Sequence, residues 1–116
     1  MERAHYRKLI VWQKAMDLTD EIYHLTRLLP AEERFGLADQ MRRASVSIPS
    51  NIAEGYGRHT EKVFNHFLSI ARGSVFELET QIVICLRQNY LTEQQIKCAM
   101  LLCDEIGKML TALSKH

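Results

Sequence analysis

The chain is predicted to fold as an all-α, antiparallel up-down-up-down four-helix bundle whose second helix is kinked by proline. Apolar residues recur at spacings of three and four through four separate stretches, which is the period of a helix face. With 5 Gly and 2 Pro in 116 residues, the chain has too few turn-formers for a β-fold. A composition of 47% hydrophobic and 25% charged residues suits one soluble domain around one core. A single domain over residues 1–116 is therefore expected, with helices at about 7–29, 35–57, 60–88 and 92–114.

In the first helix Val11, Ala15, Leu18, Ile22, Leu25 and Leu29 fall on one stripe. Pro30 is expected to stop it, because proline lacks an amide and restricts the residue before it. The second stripe is Leu37, Met41, Ala44, Ile48 and Ile52, with Pro49 inside the pattern. Pro49 removes the amide that would bond the Ser45 carbonyl, so a kink is expected rather than a break. The hydroxyls of Ser45, Ser47 and Ser50 are candidates to satisfy the freed groups. Gly55-Tyr56-Gly57 closes the segment and offers a glycine for a left-handed cap.

The third stripe is Phe64, Leu68, Ala71, Val75, Leu78, Ile82 and Cys85, with Thr60 as N-cap, Glu61 in the first turn and Asn89 as the stop. The fourth begins at Thr92-Glu93-Gln94-Gln95, where Gln95 can reach back to the Thr92 amide in a capping box. Its stripe is Ile96, Ala99, Cys103, Ile106, Leu110 and Leu113. Short connections make successive helices antiparallel neighbours.

A hairpin of helices two and three turning near residue 58 places residue i level with about 117 − i. Ala44, Ser45 and Ser47 then stand opposite Ala71, Gly73 and Ser74. Glycine costs a helix about 1 kcal/mol relative to alanine. Close backbone approach at Gly73, within the bundle or between subunits, is the expected reason for it.

Helix one carries a second apolar row of Trp12, Met16, Thr19 and Tyr23, and helix three carries Val63, Phe67, Ile70 and Val83 to Leu86. Part of this widens the core face. The remainder would leave aromatic and methionine surface in water, a mark of an interface. Self-association through Trp12, Met16, Tyr23, Phe67 and Gly73 is expected.

Net charge is +1, so the chain is no polycation. Its distribution is uneven: residues 15–41 carry two basic and six acidic groups, residues 42–72 five and two. Arg42, Arg43 and Arg72 lie mid-helix, and Arg58, His59 and Lys62 gather at the turn between helices two and three. Guanidinium forks suit phosphates, which makes Arg42, Arg43, Arg58, Lys62 and Arg72 candidates for RNA or DNA backbone contact. The alternative is that Arg42, Arg43 and Arg72 pair with Asp39, Glu77 or Glu79 and hold helices together. No aromatic stacking series accompanies them.

Enzyme chemistry finds no constellation. There is no His-Glu-x-x-His, no phosphate loop and no Gly-x-Ser-x-Gly elbow, and Gly55-x-Gly57 follows a helix rather than a strand. Glu21-Ile22-Tyr23-His24 has the Glu-x-x-His spacing of di-metal carboxylate bundles, but the second such pair and the inward glutamates are missing. No catalytic residue, metal or cofactor is expected, and no small-molecule substrate. Cys85, Cys98 and Cys103 lack CxxC spacing and read as small buried thiols. The longest apolar runs fall short of the roughly 20 residues of a membrane span, and the first residues lead into no signal-peptide core. A cytoplasmic protein without a membrane partner is expected.

The run Gln40-Met41-Arg42-Arg43-Ala44-Ser45-Val46-Ser47-Ile48-Pro49-Ser50-Asn51-Ile52-Ala53-Glu54-Gly55 carries a specific resemblance. With Val11-Trp12-Gln13-Lys14-Ala15-Met16, Ile70-Ala71-Arg72-Gly73-Ser74 and Glu77-Leu78-Glu79-Thr80-Gln81, it resembles the bacterial four-helix-bundle proteins encoded in intervening sequences of 23S ribosomal RNA genes. The likeness spans about residues 9–91. It implies an antiparallel bundle assembled as a homopentamer around a central channel. It also implies kinship with the accessory protein of diversity-generating retroelements, which partners a reverse transcriptase and nucleic acid. On this resemblance Arg42, Arg43 and Arg72 contact phosphate or build the assembly, and Pro49, Asn51 and Glu54 shape the kink. The family carries no assigned biochemical activity. The expected role is thus a non-enzymatic self-assembling bundle that touches nucleic-acid backbone, or alternatively a scaffold or adaptor for proteins alone.

Overall fold

The structure, a computed structural model, describes residues 2–114 and is all-helical, with no strand among those residues. After a 3-10 segment at Glu2–Lys8 come α1 (Ile10–Thr26), α2 (Leu37–Tyr56), α3 (Glu61–Arg87) and α4 (Glu93–Leu113). The first helix starts at Ile10 rather than at the expected residue 7 or so, because the residues before Leu9 wind as 3-10 turns. It also ends at Thr26, well before Pro30. Leu28 and Leu29 turn back through short bonds to the Leu25 and Thr26 carbonyls, and Leu29 still reaches the core.

α1 and α3 each pack on both α2 and α4, while the diagonal pairs make no backbone approach among the described residues. The four helices therefore form a square, and the α1–α2 groove lies opposite the α3–α4 groove. Met41 meets Cys85, Ser47 meets Ser74 and Gly55 meets Phe67, so residue number rises along α2 as it falls along α3. These two helices run in opposite directions. Thr19 against Ser45 and Thr26 against Arg42 give the same relation between α1 and α2.

The four stripes close on one core. Val11, Ala15, Leu18, Ile22 and Leu25 of α1 are buried, as are Met41, Ala44, Ile48 and Ile52 of α2. Leu68, Ala71, Val75, Leu78, Ile82 and Cys85 meet them from α3, and Ile96, Ala99, Cys103, Ile106 and Leu110 from α4. At the margins Leu37 and Phe64 are half-buried, and Leu113 is exposed.

Helix ends are settled by side chains as well as by backbone. Thr60 Oγ1 accepts from the Val63 amide at 3.2 Å, and Thr92 and Gln95 exchange two bonds in a capping box. Glu33 receives the Leu37 amide on one oxygen and the Tyr90 hydroxyl on the other, tying the α1–α2 connection to the α3–α4 turn. The left-handed cap expected near Gly55 and Gly57 is absent: Gly57 has φ −78°. The positive φ falls instead on Asn89, at 64°, where α3 turns toward α4.

The close approach expected at Gly73 belongs to Gly55. A Cβ built on Gly55 would lie 2.6 Å from Phe67 Cβ and 3.1 Å from Phe64 Cδ1, whereas one on Gly73 would meet nothing within 4 Å. Gly55→Ala should therefore push α2 off α3 and lower stability by about 1–3 kcal/mol. Gly73→Ala should raise it by up to about 1 kcal/mol through helix propensity alone. Thermal unfolding of the two variants checks the opposite signs.

Candidate functional site

The chemistry-bearing residues fall on three surfaces, and the first is the α1–α2 groove. Pro49 lies inside α2 without interrupting it. The Ser45 carbonyl, which loses its usual amide partner there, is met by Thr19 Oγ1 of α1 at 3.1 Å. The same hydroxyl lies 3.0 Å from its own Ala15 carbonyl, so its single proton serves two acceptors. The serines expected to do this are engaged elsewhere. Ser45 Oγ donates to the Arg42 carbonyl, and Ser74 Oγ donates to Ser47 Oγ across the α2–α3 contact. Asn51 Nδ2 donates to both the carbonyl and the hydroxyl of Ser47, and Glu54 pairs with Arg58.

Tyr6, Trp12 and Met16 line this groove from one side, and Val46, Pro49 and Ala53 from the other, around a recess of about 340 Å³. Two of the stretches that carry the family resemblance, Val11 to Met16 and Gln40 to Gly55, thus meet on one surface. Met16 is 39% exposed and Val46 40% exposed, while Trp12 is half-buried with its ring 5.4 Å from that of Tyr6. Tyr23 and Phe67 have partners within the chain, Tyr23 beneath Arg42 and Phe67 between Gly55 and Arg58.

The second surface is the α3–α4 groove opposite. Val83 and Leu86 face Ile96, Met100 and Leu101 there, around a recess of about 610 Å³. Phe76, Glu79, Asp104 and Gly107 line a neighbouring hollow. Burial first, and the charge of Asp104 second, hold the Glu79 carboxyl above its ordinary range. Burial pushes the Cys85 thiol up to about 11 and the Cys103 thiol up to about 12. These two are inert core thiols at neutral pH. Cys98 departs from the expectation of three buried thiols, because it sits on the outer face of α4 and is exposed.

Arg42, Arg43 and Arg72, the mid-helix candidates for phosphate contact, do not come together on one surface. The α2–α3 register puts Ser47 level with Ser74 and Gly55 with Phe67, several residues away from the 117 − i relation. Arg72 is therefore level with the Pro49 region, about two turns along the axis from Arg42. Arg42 turns to α1, where its Nε donates to Thr26 Oγ1 at 2.8 Å and its guanidinium lies 4.8 Å from the Tyr23 ring centroid. Arg43 pairs with Asp39 at 2.9 Å, Arg58 pairs with Glu54, and Arg72 lies over Phe76. Neither Glu77 nor Glu79 pairs with an arginine among the described residues. Glu77 accepts from Gln81, and Lys62 is exposed without an ion-pair partner there.

A third surface was not legible from the stripes or the charge runs. At the end of the bundle where α1 gives way to α2, Thr26, Arg27, Pro30, Arg34, Ala38 and Arg42 line a recess of about 390 Å³. Arg27 and Arg34 belong to the acidic stretch of the chain, so counting charges along the sequence conceals them. Their spacing of seven across Pro30 is the one available signal. His24 is exposed, and no three His, Cys, Asp or Glu side chains among the described residues are placed to share a metal ion. No described helix is long and apolar enough to cross a membrane.

These surfaces define a helical-bundle protein with apolar grooves on opposite sides and no catalytic constellation on the described residues. The sequence pattern of the 23S rRNA-intervening sequence protein family matches residues 7–112, and the chain belongs to that family. A solved structure from Bacteroides thetaiotaomicron VPI-5482, described as a protein of unknown function from the S23 ribosomal protein family, superposes with a TM-score of 0.85 at 27% identity. The match covers 92% of this chain and 100% of that one. No curated protein matches the chain.

Folding raises the Glu79 pKa above the unfolded value, so protonation favours the folded state. This contribution is full below about pH 4.5 and is lost as pH rises through the folded-state value. Glu79→Gln should accordingly melt higher than the parent at pH 7, with the two curves converging below pH 4. Thermal unfolding across that range reads the sign.

Proposed function

We propose that this protein is a non-enzymatic scaffold that assembles with further copies of itself. The observation that supports this is the pair of apolar grooves on opposite faces of one protomer. One holds Met16 and Val46 beside Trp12, and the other holds Val83, Leu86 and Leu101. Two different surfaces that cover one another make a head-to-tail contact, and repeated rotation of such a contact closes a ring. Five copies is the number the family resemblance implies.

Light scattering of the purified chain should give a mass five times the 13.5 kDa protomer. Met16→Glu or Val46→Glu should shift it to the protomer mass with helix content retained, because both positions are exposed and each buried charge is strongly disfavoured at an apolar contact. A folded parent protein that runs at 13.5 kDa at micromolar concentration overturns the reading.

A second reading, contact with RNA or DNA backbone, rests on Arg72 and Lys62, which face no carboxylate within ion-pair distance among the described residues. Copies around a ring would multiply such contacts at high effective concentration. Filter binding across a salt series should then show a steep slope, falling by about 0.7 for each cation removed from a single-strand site. Arg72→Gln combined with Lys62→Gln should flatten it, and an unchanged slope removes these residues from the contact.

A further inference from the structure

We infer that the recess at the α1–α2 end binds a backbone phosphate of single-stranded nucleic acid, with Phe35 stacking on an adjacent base. Three guanidinium side chains line this recess, from Arg27, Arg34 and Arg42, and its volume of about 390 Å³ is that of a small ligand site. No carboxylate of the described residues lies within ion-pair distance of any of the three. Arg43 and Arg58 form the contrast, since each has an acidic partner four residues away.

Arg42 is held ready. One of its five N–H groups donates to Thr26 Oγ1 at 2.8 Å, and its guanidinium rests 4.8 Å from the Tyr23 ring centroid. The other four N–H groups find no protein acceptor among the described residues. A half-buried guanidinium fixed on two sides and lacking a counter-charge is matched by an anion that can accept a fork of hydrogen bonds. Of the carboxylates nearest in the chain, Glu33 is committed to the Leu37 amide and the Tyr90 hydroxyl and Asp39 to Arg43, while Glu32, in the same connection, forms no ion pair with any of the three arginines. The carboxyl end of α1 brings about half a negative charge, which three cations exceed.

Phe35 adds the second part of the argument. It is 87% exposed, and the Arg34 guanidinium lies 5.8 Å from its ring centroid. Alone among the exposed large apolar side chains of the described residues it stands almost fully in water, next in the chain to Arg34 of the cationic recess. Cationic surface for the backbone and an open ring for a base are the two components of a single-strand site. Bases stacked inside a duplex would not reach the ring. The site is distinct from Arg72 and Lys62, and it lies outside both grooves proposed for assembly.

The test is fluorescence anisotropy of a labelled oligouridylate, about ten nucleotides long, titrated with the full chain at low salt. Arg27→Gln with Arg34→Gln should weaken binding at least about tenfold. Phe35→Ala should weaken it by roughly five- to a hundredfold. Arg43→Gln should leave it near the parent value. All of these positions are exposed, and circular dichroism and light scattering on each variant separate loss of binding from loss of fold or assembly. Three results overturn the inference: no binding by the parent chain, unchanged affinity in the arginine double variant, or unchanged affinity in Phe35→Ala. If binding instead falls with Arg72→Gln and Lys62→Gln alone, the second reading above stands and this one does not.

Discussion

The contact of α2 with α3 at Gly55 governs much of the geometry. Phe67 and Phe64 fill the volume that a side chain would take, so the helices meet at a distance any other residue would widen. That contact phases the pair. Ser47 then meets Ser74, Met41 meets Cys85, and the apolar stripes of both helices face the same core. The same phasing carries Arg72 along the axis away from Arg42 and sets the two on different surfaces.

A second constraint is the peptide group lost at Pro49. A helix with a buried proline leaves one carbonyl without its amide, and unsatisfied buried acceptors are costly. Thr19 supplies the missing donor from the neighbouring helix, which makes the repair a tertiary contact rather than a local one. About two turns further along, beyond the groove and at the end of the same helix pair, Thr26 receives Arg42. Polar groups of α1 thus locate α2 at two heights, while the apolar residues between them supply the burial.

The fold could be read from the chain because helix periodicity is local and each stripe encodes its own buried face. The capping threonines Thr60 and Thr92 are local signals of the same kind. The site was less legible. Register between α2 and α3 depends on how Gly55 and Phe67 fit together, and a turn centre estimated from sequence misplaces it by several residues. Arg27 and Arg34 join Arg42 only because the chain reverses at Pro30, so a linear charge count assigns them to an acidic belt. The Thr19 bond to Ser45 joins residues on different helices, and no motif announces it. Cys98 looked apolar by its neighbours, yet it occupies the one side of α4 that the core does not use.

The molecule is a rod, with principal extents of 44 × 24 × 20 Å. Its greasy grooves run along the flanks, whereas the arginine-lined hollow opens at one tip. Lateral stacking of rods in the proposed ring would consume flanks and spare tips. Each added copy would then bring another cationic tip to a common rim, so a polyanion could be gripped at several points without prising the protomers apart.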